Sequence, residues 1–444
     1  MTRSIAVIAL LLAGLGVAAL SLPAQTAAFV LNGELLDLGQ RDVRLAASFS
    51  DAAANDNLLA QAEFPGTLGA ALAVRKAHVE WASQPWAGTG VGDGSPTNAV
   101  LGSGNANFDT SWQGVTTGQT GTNDNVHVAL QTSGGSTLAY VEFPVSDGWR
   151  VIYFDAPWIW SDGPGAPAPG QIDLQGLATR MAGYTLGLAN TVVPGQTMSS
   201  TASDLVLLRS IEFDDIAGLQ AIYGVRSPAK PRITGLSGSR ATGGQLVIEG
   251  QGFAPTGNEV WFTRAAATGE PLKLLNVVAG AEQLNVSIPD GVADGDVLVR
   301  LGGGTSGAQL SNAFPFDLAD GFSELHPGLG VPGASPPWLT GQGDLAPAGQ
   351  GFELLLAGAP PQQAGALFVA LQAGAAPFKG GTLYSFPVAL SLTVAVDGSG
   401  ALALAAAMPA GVPSGSVLVL QAAFAEPAAS QGVVLSNGLQ LGVP

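Results

Sequence analysis

Three polar side chains, Arg180, Tyr184 and Asn190, share the stretch DLQGLATRMAGYTLGLANT (173–191). Residues four apart lie on one helical face, so Arg180 and Tyr184 point the same way. Gly187 can end that helix and turn the chain, which returns Asn190 toward the pair. A helix grips a metal ion with this spacing: ligands at i and i+4, and a third returning after the turn. The residue after the first ligand is then the general base, and here it is Met181. The residue types do not serve that chemistry. A guanidinium stays protonated and has no free lone pair, so Arg180 cannot ligate and would repel a cation. Tyr184 coordinates only as a phenolate, Asn190 only weakly through its amide oxygen, and Met181 cannot accept a proton. Without metal, water keeps a pKa of about 15.7 instead of roughly 7. Loss of a general base removes another ~10²–10⁴-fold. Two roles remain for Arg180 and Tyr184. They line a groove that holds a peptide carboxylate or an acidic sugar, or Arg180 fills the vacant metal position and pairs with a nearby carboxylate. The plug is the simpler of the two.

Other chemistry is thinly represented. The chain has no cysteine, which excludes disulfides, thiol catalysis and cysteine metal sites. Its three histidines, His78, His127 and His326, show no ligand spacing and read as isolated structural residues. VGDGSP (91–96) and GTNDNV (121–126) offer oxygens that calcium accepts, without the pattern of an EF-hand loop. No Gly-x-Ser-x-Gly elbow is present, and LGGGTSG (301–307) lacks the lysine of a phosphate loop. The formal charge of −17, with only 16 basic residues, argues against nucleic acid as a partner.

The elements that must position these residues fall into three blocks. The first 28 residues read as a signal peptide: Arg3, an apolar run from Ile5 to about Leu20, Pro23, then Thr26 and Ala28 at small-x-small spacing. An exported, secreted or envelope protein follows, with no membrane span after cleavage. Residues 29–226 mix helix and strand patterns. The segment 66–83 predicts a helix with two apolar faces, Leu72, Lys76 and Val79 on one, Ala73, Ala77 and Trp81 on the other. TLAYVEFPV and WRVIYFDAPW predict strands, and FDDIAGLQAIYG predicts a last helix with Asp214 and Asp215 at its start and Gly224 at its stop. VRSPAKPRI (225–233) reads as a linker. Beyond it, 62 glycines and 29 prolines in the whole chain, with only 11% charged residues, favour short strands and turns. Residues 227–318 and 319–444 both read as all-β. In the last block Leu390, Leu392, Val394 and Val396 alternate up to a DGSG turn, which predicts a hairpin with the strand that follows.

Taken with its flanks, the 173–191 stretch resembles the zinc helix of a matrixin-type metzincin metalloprotease. RSIEFDDIAGLQAIYG is similar to the C-terminal helix of that family. WRVIYFDAPWIWSDGPG and GSGNANFDTSWQG look like its preceding segments. The resemblance covers most of residues 29–226. It implies a twisted mixed sheet with two main helices and a C-terminal subdomain. It also assigns Arg180, Tyr184 and Asn190 to the three ligand slots, Met181 to the base slot, Gly187 to the turn and Met198, in GQTMSS, to the methionine turn. All the catalytic slots are changed.

Residues 230–301 resemble a TIG-type immunoglobulin-like domain, through Pro231, Ile233, GGQLVIEGQGF, the Asn258–Phe262 strand and a SIPDGVADGDVLV hairpin. The last block is similar to C-terminal β-sandwich modules of large exported bacterial proteins, through GDLAPAGQGFELLLAGAP and VLSNGLQL. Trp338 and Tyr384 are aromatic candidates for a sugar site there, with core or edge packing the simpler role for each. The expected protein is an exported matrixin-like pseudoprotease, without cofactor, that binds an extracellular or envelope protein or a glycan. The alternatives are a zinc metalloendopeptidase with unusual ligands, in which Tyr184 would hold zinc, and carbohydrate or matrix adhesion through the β modules.

Overall fold

The chain is seen in a computed structural model that describes residues 27–86, 101–116, 125–143, 148–201, 205–265, 270–280, 282–325, 327–332, 334, 336–349 and 351–444. Most of the expected signal peptide, the 91–96 segment, residues 121–124 and His326 lie outside the described residues. The molecule is a strand-rich multidomain chain with several separate sheets. Its three main apolar cores draw on residues 36–219, 233–318 and 322–443.

The first core is built on a five-stranded mixed sheet. Its strand order is Ser111–Thr116, Asp42–Ala46, Val126–Ser133, Arg150–Ala156, Ala139–Val141. The first four run parallel and the last closes the edge antiparallel. Parallel strands are buried on both faces and need crossovers, and helix α1 (Gly69–Glu80) lies in one of them. All twelve residues of α1 are buried, as expected of a helix covered on every side. Its two predicted faces go to different neighbours. Ala73, Ala77 and Trp81 join the sheet core. Leu72 and Val79 join Leu38, Phe64, Trp86 and Leu101 against Trp261, Leu298, Leu310 and Ala313 of the second block. Arg75 seals that junction with a buried ion pair to Asp296. The other oxygen of Asp296 accepts from the Trp112 N–H at 3.0 Å. The 225–233 segment is packed rather than a free linker: Lys230 is buried, with Nζ 3.0 Å from Asp109 and donating to Gly307 O at 2.7 Å.

In the second block the strands Arg232–Gly238, Gln245–Gln251 and Gln283–Ser287 form one sheet. Leu272–Val277, Asn258–Arg264, Val292–Arg300 and Phe314–Phe316 form the other. Both contribute to one core around Ile248, Phe262 and Val299. The third block repeats this plan with a five-stranded and a three-stranded sheet.

Two predicted hairpins are corrected here. Leu390–Ala395 pairs with Ala364–Ala370, while Leu402–Ala406 pairs with Gly351–Ala357 in the opposite sheet. Likewise Gln283–Ser287 and Val292–Arg300 pair in different sheets. Each strand has one apolar face. Placing consecutive strands in facing sheets lets both reach the core between them, which buries Val394 and Val396 at the far end of this face, while Leu390 and Leu392 at its start stay 51% and 44% exposed. At the 397–401 crossing, Asp397 Oδ1 accepts from the Ser399 and Ala401 N–H groups at 2.8 and 3.0 Å, turning the chain locally. Among the described residues no helix is long and apolar enough to cross a membrane.

Candidate functional site

Helix α2 (Leu174–Thr185) carries the candidate residues. Its start is fixed by Asp173, whose Oδ1 accepts from the Gly176 N–H at 2.7 Å, an N-cap that satisfies an otherwise orphan donor. Asp173 also holds the buried Arg209, with Arg209 Nη2 2.5 Å from Oδ2. Leu174, Leu177, Ala178, Met181 and Ala182 face the core. Gly183 allows close packing beneath the helix: a Cβ there would stand 2.4 Å from Met198 Sδ and 3.0 Å from the Trp81 ring. Gly187, at φ +104°, ends the helix in a conformation that L side chains avoid. A Cβ there would meet Glu34 O at 2.4 Å. The strand Val30–Leu31 runs antiparallel to Leu188–Ala189 just beyond it.

The turn brings the three polar residues together. Arg180 Nη2 donates to Asn190 Oδ1 at 2.6 Å and to Tyr184 Oη at 3.3 Å. Tyr184 Oη donates to the same Asn190 oxygen at 2.5 Å. Arg180 Nη1 donates to the carbonyls of Thr197 and Ser199 at 3.1 and 2.5 Å. These two carbonyls flank Met198, which is buried. The turn around Met198 is itself clamped by α3 (Phe213–Tyr223): Asp215 accepts from the Thr197 and Met198 N–H groups at 2.8 and 3.0 Å. Burial pushes the Asp215 carboxyl up to about 6, against the pull of those backbone donors.

The expected carboxylate partner of Arg180 is replaced by neutral oxygens. Two backbone carbonyls and one amide take its donors, and its guanidinium lies 5.8 Å from the Tyr184 ring centroid. Carbonyls can do this because Asp215 holds the Thr197 and Met198 N–H groups, which leaves the Thr197 and Ser199 oxygens directed at Arg180 on α2. A zinc ion does not fit this donor set: its centre would be a fixed cation without lone pairs, and the phenol is already donating to the amide. Met181 is buried and contributes apolar packing only. Tyr384 is fully buried beside Leu325, Ala370 and Val419, in the core packing expected of it rather than at a sugar site. Trp338 is half-buried and lines a cavity.

No protein-family model matches the chain, and no curated protein matches it.

The reading of isolated histidines is also corrected. His78 of α1 and His127 of the central strand meet with Nε2 atoms 2.7 Å apart, although 49 residues separate them. His127 Nδ1 lies 2.8 Å from Tyr153 Oη, and His78 stacks on Trp149 at 5.7 Å. Nothing in the local sequence shows this contact, because it depends on α1 lying across the sheet. Burial holds His78 down at about 3, and burial plus the neighbouring ring holds His127 well below its usual value. Both are neutral in the folded chain at neutral pH. Unfolded histidine titrates near about 6.5, so on acidification the unfolded state takes up these protons first. The pair's contribution to stability is complete above about pH 6.5 and is lost progressively as pH falls toward 3. Asp155 and Asp162 act in the opposite sense. Burial first, and then Asp51 and Asp56 respectively, pushes each up to about 8, so their contribution falls as pH rises toward that value. Ring-proton NMR should show His78 and His127 holding neutral-form shifts down to about pH 5. Titration of either ring between about pH 6 and 7 would place it in water instead.

Proposed function

We propose that the chain is a matrixin-like pseudoprotease that acts by binding rather than by hydrolysis. One observation carries this reading. The three side chains in the ligand slots converge within hydrogen-bonding distance of one another, and the group at their centre is the Arg180 guanidinium. The arrangement keeps the geometry of a metal site and replaces the metal with a tethered cation. A mixed sheet with two helices packed on it and a turn around Met198 beneath α2 supports the same reading. The three-to-four-residue periodicity places Met181 inward, so the base slot faces core and not cleft. Export to the envelope or the medium, with a protein or glycan as partner, belongs to this proposal through the leader-like N-terminus.

Two of the four neutral contacts to Arg180 come from the main chain and persist in most variants, so the plug is built into the fold. The test is the zinc content of the purified mature chain, measured by elemental mass spectrometry after exposure to zinc and desalting. Near-zero zinc is expected. Close to one zinc per chain would overturn the reading and restore a metallopeptidase with Tyr184 as a ligand, which a Tyr184→Phe variant should then abolish.

A further inference from the structure

In an acidic chain, three of the 16 basic residues gather at one junction. Arg226, Lys230 and Arg232, with Gln84, Ser227 and Gln251, line a cavity of about 300 Å³ where the first block passes into the second. No carboxylate lines it among the described residues. Lys230 is neutralised from beneath by Asp109 at 3.0 Å. The two guanidiniums are not. Arg226 Nη1 donates only to the neutral Gln84 Oε1 at 3.1 Å, and Arg232 is exposed with no side-chain partner among the described residues. The cavity therefore holds about two uncompensated positive charges, and Arg226, after burial and Arg41, adds to the forces that lower the Lys230 pKa.

We infer that this junction cavity binds a small hydroxylated carboxylate of the hexuronic-acid class. The guanidiniums supply charge-assisted donors suited to a planar carboxylate. The two glutamine amides supply donors and acceptors for hydroxyl groups. The volume is at the small end of ligand pockets and about ten times the space of one water, which fits a monosaccharide unit and exceeds a bare ion. Net charge decides against long polyanions. The formal −17 of the whole chain repels an extended acidic polymer, whereas a single carboxylate enters a local positive field. The site shares no residue with the Arg180 cluster and stands or falls separately from the pseudoprotease reading.

The test is calorimetric titration of the mature chain with galacturonate, with galactose, sodium sulfate and an acidic hexapeptide as comparisons. Arg232→Gln and the Arg226→Gln/Arg232→Gln double variant are titrated in parallel. Arg240→Gln, outside the cavity, is the control, and circular dichroism confirms folding of each. Galacturonate should bind at least about tenfold more tightly than galactose or sulfate, and Arg232→Gln should weaken it by about tenfold, the double variant by more. Binding should fall as salt rises. No binding of galacturonate, or binding that the double variant leaves unchanged, overturns the site. Equal binding of sulfate reduces it to a general anion sink, and tighter binding of the peptide makes the occupant a protein; either result overturns the sugar assignment.

Discussion

Replacing Arg180, Tyr184 and Asn190 with histidine, and keeping Met181 because it is packed in the core, should turn this chain into a zinc-binding protein. The three substitutions restore two imidazoles one helical turn apart and a third imidazole after Gly187. The backbone that such a site needs is already in place. Side-chain tips at 180, 184 and 190 meet within 3.3 Å, and Gly187 already adopts the positive φ that the turn requires. The variant should retain about one zinc per chain after desalting, where the parent retains none. Before metal is added it should be less stable than the parent, because the carbonyls of Thr197 and Ser199 lose a charged donor, at about 1.5–3 kcal/mol each. Zinc should restore the melting temperature, since a ligand that binds only the folded state stabilises it by mass action. Slow hydrolysis of an unstructured peptide would follow from zinc-bound water with a pKa near about 7. A folded variant that takes up no zinc would show that the three positions do not converge on a former metal centre.

The readable part of this site is the part set by local spacing. The i, i+4 relation of Arg180 and Tyr184 and the stop at Gly187 are properties of a few consecutive residues, and the structure realises both, whereas the cap at Asp173 emerges only from the structure. The partners of Arg180 were not readable. They are backbone carbonyls, which carry no residue signature, and they reach α2 because Asp215 on α3 holds the opposite side of the turn. The strands of the β blocks are legible from alternation, but alternation marks a face and not a neighbour. Both misassigned hairpins follow from that gap: Leu390–Ala395 shows the same alternation whether the next strand pairs beside it or crosses to the opposite sheet, as it does here. Contacts of long sequence separation were invisible for the same reason. His78 with His127, and Arg75 with Asp296, are set by how α1 is buried between two blocks.

Asp173→Ala should be among the most damaging single substitutions in the first block. Its side chain does two things at once. It caps α2 through the Gly176 N–H, and it faces Arg209 with Nε 3.1 Å from both oxygens and Nη2 2.5 Å from one. Both partners of the ion pair are fully buried. Losing the cap costs about 1 kcal/mol. Leaving a buried guanidinium without its carboxylate costs about 3–5 kcal/mol more, partly offset because Arg209 still donates to the carbonyls of Pro164 and Gly165 at 2.8 Å. Asp173→Asn keeps an acceptor for Gly176 and removes only the charge, so it should recover about 1 kcal/mol relative to alanine. Replacing both partners, as Asp173→Asn with Arg209→Met, removes the uncompensated charge altogether and should lie closer to the parent than the sum of the two single changes. Urea unfolding of the parent, Asp173→Asn, Arg209→Met and the double variant, followed by tryptophan fluorescence, measures the coupling directly, with Asp173→Ala unfolded alongside for the loss of the cap. Additive effects of the two single changes would mean that Asp173 and Arg209 are not coupled and that the ion pair does not stabilise the start of α2.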